Sequence, residues 1–210
     1  MTEEDARSWI GDRFGGASVD RLGQFVALLA EESKRQNLVA ASTLPSVWSR
    51  HIVDSAQLVP LSTNMPANWC DVGSGAGLPG VVIAVLSNSD VWLVEPRARR
   101  ATFLSVVVDA LELPNAHVVK ARVEAFRSAA PMDVITARAV AGLSHLFSIC
   151  EHLTAPATRF ILPKGRSGLD ELALARAEWQ GTFHVEQSIS DAESTIIIAD
   201  GVTRRCSASR

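Results

Sequence analysis

Three cysteines in 210 residues, Cys70, Cys150 and Cys206, are too few and too far apart for a disulfide framework, a zinc site or a redox pair. They read as isolated thiols of a reducing cytoplasm. The five histidines form no pair at metal-ligand spacing, so no metal is expected. Positive charge is also scarce: 20 Lys and Arg against 23 Asp and Glu leave a net charge of −3. That balance argues against a protein that coats nucleic acid without specificity, though not against a local basic patch. Lysine in particular is rare, since seventeen of the twenty basic residues are Arg, the residue suited to bidentate phosphate contacts. Apolar runs such as Val81 to Leu86 fall far short of a membrane span. The acidic start, Met1-Thr2-Glu3-Glu4-Asp5, does not resemble a signal peptide. With 47% apolar and 20% charged residues, the chain reads as a soluble globular protein, expected to be a cytoplasmic monomer without membrane contact.

Glycine is where the sequence is rich. Asp71-Val72-Gly73-Ser74-Gly75-Ala76-Gly77-Leu78-Pro79-Gly80 follows the apolar end of a strand and precedes the helix Val81 to Leu86, with Pro79 suited to its first turn. Glycines at four alternating or near-alternating positions exceed what a turn needs. They let a ligand approach the backbone where a Cβ would clash. Two nucleotide-like ligands compete. Gly75-x-Gly77-x-x-Gly80 satisfies the dinucleotide fingerprint, and Glu95, about 20 residues on, could take ribose hydroxyls. Asp71-x-Gly73-x-Gly75-x-Gly77 instead suits S-adenosylmethionine, whose ammonium and sulfonium would favour a carboxylate that a pyrophosphate would repel. A nicotinamide-dependent oxidoreductase and a non-catalytic nucleotide-binding module therefore stand beside a methyltransferase.

The first sixty residues read as helical. Thr2-x-x-Asp5 resembles a capping box, and Gly15-Gly16 ends the first helix. Ser18 can cap a second helix with Leu22, Phe25, Val26 and Leu29 on one face. Ser46 can cap a third, after Pro45, running through Val47, Trp48, Ile52, Ala56 and Val59. Pro60 to Ala67 reads as a linker, which predicts a helical N-terminal part over residues 1–62 and a second domain over 63–210. From Trp69 onward strands (69–72, 91–95, 117–121, 133–137, 159–162) alternate with helices (80–86, 99–111, 143–153, 169–179), predicting an α/β, Rossmann-like, mostly parallel sheet. The runs 184–190 and 195–199 predict an antiparallel pair at its C-terminal end.

Ligands of open α/β sheets sit at the carboxyl ends of strands. Val123-Glu124 after the third strand can reach an adenine edge, although Glu124 could simply open a short helix. Arg138 after the fourth strand points into the same crevice. Arg97, Arg99 and Arg100 follow Glu95-Pro96, and Lys164 and Arg166 bracket Gly165, so both groups should flank one crevice and suit a polyanion. Arg50, His51, Asp54 and Ser55 share one helix at i, i+3 and i+4 spacing, which reads either as an ion-paired surface or as part of a site.

These residues together resemble the bacterial 16S ribosomal RNA guanine-N7 methyltransferases, the glucose-inhibited division protein B family. The resemblance is nearly full length. It runs through Asn37-Leu38-Val39, Trp48-x-Arg50-His51-Ile52-x-Asp54-Ser55, the glycine loop, Glu95-Pro96, Arg99-Arg100-x-x-Phe103-Leu104, Arg122-Val123-Glu124, Ala137-Arg138-Ala139 and Lys164-Gly165. Ala137 stands where the family usually has Ser, and Val140 where it often has Phe. The resemblance implies a Rossmann-like S-adenosylmethionine-dependent methyltransferase behind a helical N-terminal part. Its substrate would be one guanine in a decoding-region loop of 16S rRNA, free or in the small ribosomal subunit. It implies cofactor contacts at Gly73, Leu78, Val123, Glu124 and Arg138, beside the ribose reading of Glu95. Arg99 matches a position that is basic in relatives, which supports the phosphate contacts that the strand ends suggest for Arg99, Arg100, Lys164 and Arg166. No catalytic residue is assigned, because guanine N7 carries a lone pair and no proton, so positioning can supply the acceleration.

Overall fold

A computed structural model describes residues 1–62 and 66–205. Cys206, and residues 63–65 within the expected linker, lie outside them.

Helix α1 (Glu3–Phe14) starts on the expected capping box: the Thr2 hydroxyl accepts from Asp5 N–H, and the Asp5 carboxylate accepts from Thr2 N–H. Gly15, at φ 84°, separates it from α2 (Gly16–Ser33). Ser18 does not cap α2; it lies in the first turn and its hydroxyl donates back to Phe14 O at 2.8 Å. Leu22, Phe25 and Leu29 are buried, as their spacing predicts.

The third helix is broken. A 3₁₀ segment (Ala41–Ser46), a π turn (Trp48–Ile52) and the short α3 (Val53–Ala56) replace one continuous α-helix. Ser46 caps nothing, since its hydroxyl donates to Thr43 O. The free N–H groups of Trp48 and Ser49 are met by the Glu3 carboxylate from α1, both at 2.9 Å. A partner 45 residues away does what a local cap would otherwise do.

Helix α4 (Gly80–Leu86) follows β1 (Asn68–Val72); α5 (Ala98–Ala110) follows β2 (Asp90–Val94). Then come β3 (Ala116–Val119), β4 (Val134–Ala137), α6 (Leu143–Cys150), β5 (Arg159–Lys164), α7 (Gly168–Glu178), β6 (Trp179–Gln187) and β7 (Thr195–Arg204). The strand order is β3-β2-β1-β4-β5-β7-β6, with β7 antiparallel to both neighbours and the other pairs parallel. Chain order reverses between β1 and β4, so the switch point of the sheet lies above their carboxyl ends. Strand β6 begins five residues earlier than the apolar run at His184, because α7 passes directly into it at Trp179. As an edge strand it exposes Gln180, Thr182 and His184, which hid it from an apolar pattern.

One apolar cluster joins Ile10, Leu22, Phe25, Trp48 and Ile52 of the N-terminal segments to Val81, Val82 and Ile83 of α4. The second cluster lies on the other face of the sheet, around Val72, Ile135, Phe147, Phe160 and Trp179. The N-terminal helices thus cover one face and bring residues 38–54 to the rim of the crevice.

Candidate functional site: a cleft over the switch point

The glycine loop owes its path to two different demands. Gly73, Gly75 and Gly77 have φ of 69°, 55° and 84°, the left-handed region that L side chains rarely enter. Gly80 is needed for room. A Cβ there would lie 2.3 Å from Leu93 Cδ2 and 2.6 Å from Asp71 Oδ2.

Asp71 is turned away from the ligand side. Its fully buried carboxylate accepts from Gly80 N–H at 3.0 Å and from the Thr136 hydroxyl at 3.1 Å. The Thr136 oxygen in turn accepts from the Trp69 indole. The expectation that Asp71 meets a cationic ligand group is therefore corrected: it caps α4. Val81 N–H donates to Gly77 O, and Pro79 has no N–H. The start of α4 is thus largely committed internally, and a phosphate there would meet a carboxylate.

Burial pushes the Asp71 carboxyl up to about 6, against the bonds from Thr136 and Gly80 and the charge of Arg138, which pull it down. The folded chain then holds this proton more tightly than the unfolded chain. The resulting stability is fully present below about pH 4, declines towards pH 6, and is gone above it; it amounts to about 3 kcal/mol. Asp71→Asn should remove that slope. Urea unfolding of both proteins between pH 4 and 7 checks this, and parallel pH profiles would refute it.

Above the loop lies a cleft with two lobes. One, of about 670 Å³, is lined by Leu38, His51, Gly73, Leu78, Glu95, Arg100 and Arg138, among others. The other, of about 540 Å³, is lined by Val94, Arg97, Val123, Glu124, His145 and Ile149, and again by Gly73. Both are in the size range of small-molecule sites. All six residues assigned to the cofactor from sequence thus border one cleft. Glu124 also lies in a 3₁₀ turn (Val123–Ala125), as the short-helix reading expects.

Glu95 is buried, yet its carboxylate keeps acceptor capacity. One oxygen accepts from Gly75 N–H at 2.9 Å and the other from Arg97 N–H at 2.8 Å. A carboxylate has about four lone-pair positions, so each oxygen can take one more donor.

The Arg50–Ser55 stretch is not an ion-paired surface. Arg138 Nη1 lies 3.2 Å from His51 Nδ1 and 3.5 Å from Asp54 Oδ2. His51 Nε2 lies 2.9 Å from Thr43 Oγ1, whose own proton goes to Ala40 O. A guanidinium only donates, so Nδ1 holds the lone pair and Nε2 the proton. Burial, then the charges of Arg138 and Arg50, lower His51 to about 4, so the ring is neutral at physiological pH. Ser190 and Gln57 donate to Asp54 Oδ1 at 2.7 and 3.1 Å. Ser190 is not legible as a site residue in sequence, because it comes from the β6–β7 connection, 136 positions from Asp54.

The basic flank divides. Arg99 is exposed and its guanidinium donates to Arg35 O; Arg166 is exposed and pairs with Glu193. Arg100 lines the larger lobe instead of standing outside it. Lys164, whose side chain is only 11% exposed, donates to Ala141 O and Glu171, both at 2.8 Å, tying β5 to the loop after β4.

Among the described residues no group of three His, Cys, Asp or Glu is placed to hold a metal, and no helix is long and apolar enough to cross a membrane.

The family model described as rRNA small subunit methyltransferase G (GidB) matches residues 18–197. The chain belongs to that family. Its relatives include the ribosomal RNA small subunit methyltransferase G of Sphingopyxis alaskensis, 44% identical over 95% of this chain and 86% of that protein. The protein of the same name from Rhizorhabdus wittichii is 42% identical over 98% and 95%. Among solved structures, a mutant of MtNAS in complex with S-adenosylmethionine matches with TM-score 0.59 at 16% identity, over 94% of this chain and 83% of that one. An O-methyltransferase from Bacillus cereus in complex with SAH matches with TM-score 0.57 at 13% identity, over 84% and 90%. At those identities the likeness is one of fold, and the fold is the Rossmann-like one that the alternation of elements predicts.

Proposed function

We propose that the chain transfers a methyl group from S-adenosylmethionine to N7 of a guanine in 16S rRNA, in the cytoplasm. Family membership supports an RNA substrate of the small ribosomal subunit, and the resemblance in the motifs supports guanine N7. The observation that carries the choice of cofactor is the committed start of α4, where Asp71 occupies Gly80 N–H. A dinucleotide would lose its pyrophosphate site there, while a cofactor without phosphate loses nothing. That disfavours the oxidoreductase reading despite Gly75-x-Gly77-x-x-Gly80.

The cofactor fits this chain's residues. Val123 and Glu124 would border its adenine, Glu95 its ribose hydroxyls, and Gly73, Leu78 and Arg138 its amino-acid end. Bound there, it supplies an electrophilic methyl on a sulfonium. The chain's part is to orient the guanine in line with that methyl and to exclude water; N7 uses its own lone pair, so no side chain takes a proton. Glu95→Ala should weaken S-adenosylhomocysteine binding about tenfold or more, the effect of losing charge-assisted hydrogen bonds. It should also lose the wild-type preference over the deoxyribose analogue in calorimetry. Unchanged affinity would remove Glu95 from the site.

Arg99 and Arg166 are the exposed members of the flank and the proposed phosphate contacts. The double Ala variant should bind small subunits with a salt slope reduced by about 1.4, roughly 0.7 per phosphate lost, at unchanged cofactor affinity. An unchanged slope in filter binding would leave them a solvated surface. Arg100 and Lys164 are proposed to serve the cleft wall and the loop after β4.

A further inference from the structure

A third cavity, of about 450 Å³, adjoins the cleft on the far side of Arg138. Its walls include Asp54, Arg138, Val140, Ala141, Lys164 and Thr195. Arg138 borders both this cavity and the larger lobe of the cleft, whereas Asp54 borders this cavity and not that lobe. Running outward from the cleft, the polar groups are therefore first a donor and then an acceptor.

A guanine edge has the complementary order. N7 comes first, then O6, an acceptor, then N1–H, a donor; adenine reverses the last two, with an amino donor followed by a bare N1. We propose that this cavity takes the target guanine, with Arg138 donating to O6 and Asp54 accepting from N1–H, so that N7 is left facing the cofactor cleft. This rests on the guanine-N7 reading given above.

The two side chains are prepared for that task. Asp54 Oδ1 is occupied by Ser190 and Gln57, while Oδ2 has only the 3.5 Å contact to Arg138. The Arg138 guanidinium is held by the neutral His51 Nδ1, and among the described residues its Nη2 and Nε have no hydrogen-bond partner. The Arg138 side chain is 22% exposed and that of Asp54 14%, so contacts made here are largely shielded from water. Val140, 41% exposed, forms part of the wall and offers an apolar surface to a base face. Methylation at N7 moves positive charge from the sulfonium onto the purine as the C–S bond pair returns to sulfur. The ring's N1–H becomes more acidic, so its bond to the Asp54 carboxylate strengthens as the transition state forms, which is where such a contact accelerates.

The test uses small subunits reconstituted with 16S transcripts carrying guanine or adenine at the position that the wild-type chain methylates. Single-turnover transfer is measured for the wild type, Asp54→Ala and Asp54→Asn, with S-adenosylhomocysteine affinity measured by calorimetry. Both variants should transfer to guanine about ten- to a hundredfold more slowly, at cofactor affinity within about twofold of wild type. Asp54→Asn keeps an oxygen for Ser190 and Gln57 and turns an NH₂ into the cavity, so its guanine-to-adenine ratio should fall furthest. A residue that merely supports the fold would lower both rates alike. An unchanged ratio in both variants, or cofactor affinity falling in step with the rate, would overturn the assignment. Absence of transfer to guanine by the wild-type chain would overturn the underlying function as well, and so separates the two failures.

Discussion

Gly73→Val should yield a folded chain whose affinity for S-adenosylhomocysteine is at least about a hundredfold below wild type, a loss of close to 3 kcal/mol of binding free energy. Gly73 borders both lobes of the cleft, so a side chain there would project between the two lobes in which the cofactor is proposed to bind. A Cβ would also lie 2.6 Å from Val140 Cγ2, so the Val140 side chain would have to shift. The left-handed backbone, φ 69°, adds strain of about 1–2 kcal/mol, which a domain stable by about 5–15 kcal/mol survives. Calorimetric titration with S-adenosylhomocysteine, alongside circular dichroism, checks this. Gly73→Ala should fall between. A folded Gly73→Val protein with wild-type affinity would mean that the ligand does not approach this backbone.

Gly80→Val should act on the fold instead. Its Cβ would lie inside contact distance of Leu93 and of the Asp71 carboxylate, both fully buried and with no space to retreat. Overpacking of this kind costs about 1–3 kcal/mol. Displacing Asp71 from Gly80 N–H leaves a buried polar group unsatisfied, for about 1–3 kcal/mol more. The unfolding free energy in urea should therefore drop by about 2–6 kcal/mol. Gly165, with nothing within 4 Å of a Cβ, is the control, and Gly165→Ala should leave stability unchanged within about 0.5 kcal/mol. Equal stability of the Gly80 and Gly165 variants would contradict the packing described for the loop.

The two glycines show what a sequence makes legible. The repeated glycines of residues 73–80 announced a close-approach loop, and the alternation of apolar runs from Trp69 announced the parallel sheet, because both signals are local. The direction in which Asp71 points was not legible. At a strand end, a carboxylate facing a ligand and one facing the next helix have the same sequence. The third N-terminal helix misled because its apolar spacing is helical, while Glu3 of α1 supplies the partner for a broken turn. The polar edge strand β6 escaped for want of apolar residues. The hydrogen bond of Ser190 to Asp54 joins segments far apart in the chain, and only the folded topology brings them together. Of the basic flank, Arg100 and Lys164 line the cavities while Arg99 and Arg166 stand exposed at the surface, a division that depends on burial in the folded chain. Lys164 is spent on Glu171, and Arg166 stays at the surface.

The most direct measurement is the position of N7-methylguanosine in 16S rRNA. Small subunits from cells lacking this gene would be incubated with the purified chain and S-adenosylmethionine, and chemical cleavage at N7-methylguanosine would map the product. One new cleavage site in the 16S rRNA, present with the wild-type chain and absent with Gly73→Val, is the predicted result. A methyl group found elsewhere than guanine N7, or no transfer by a chain that binds the cofactor, would contradict it.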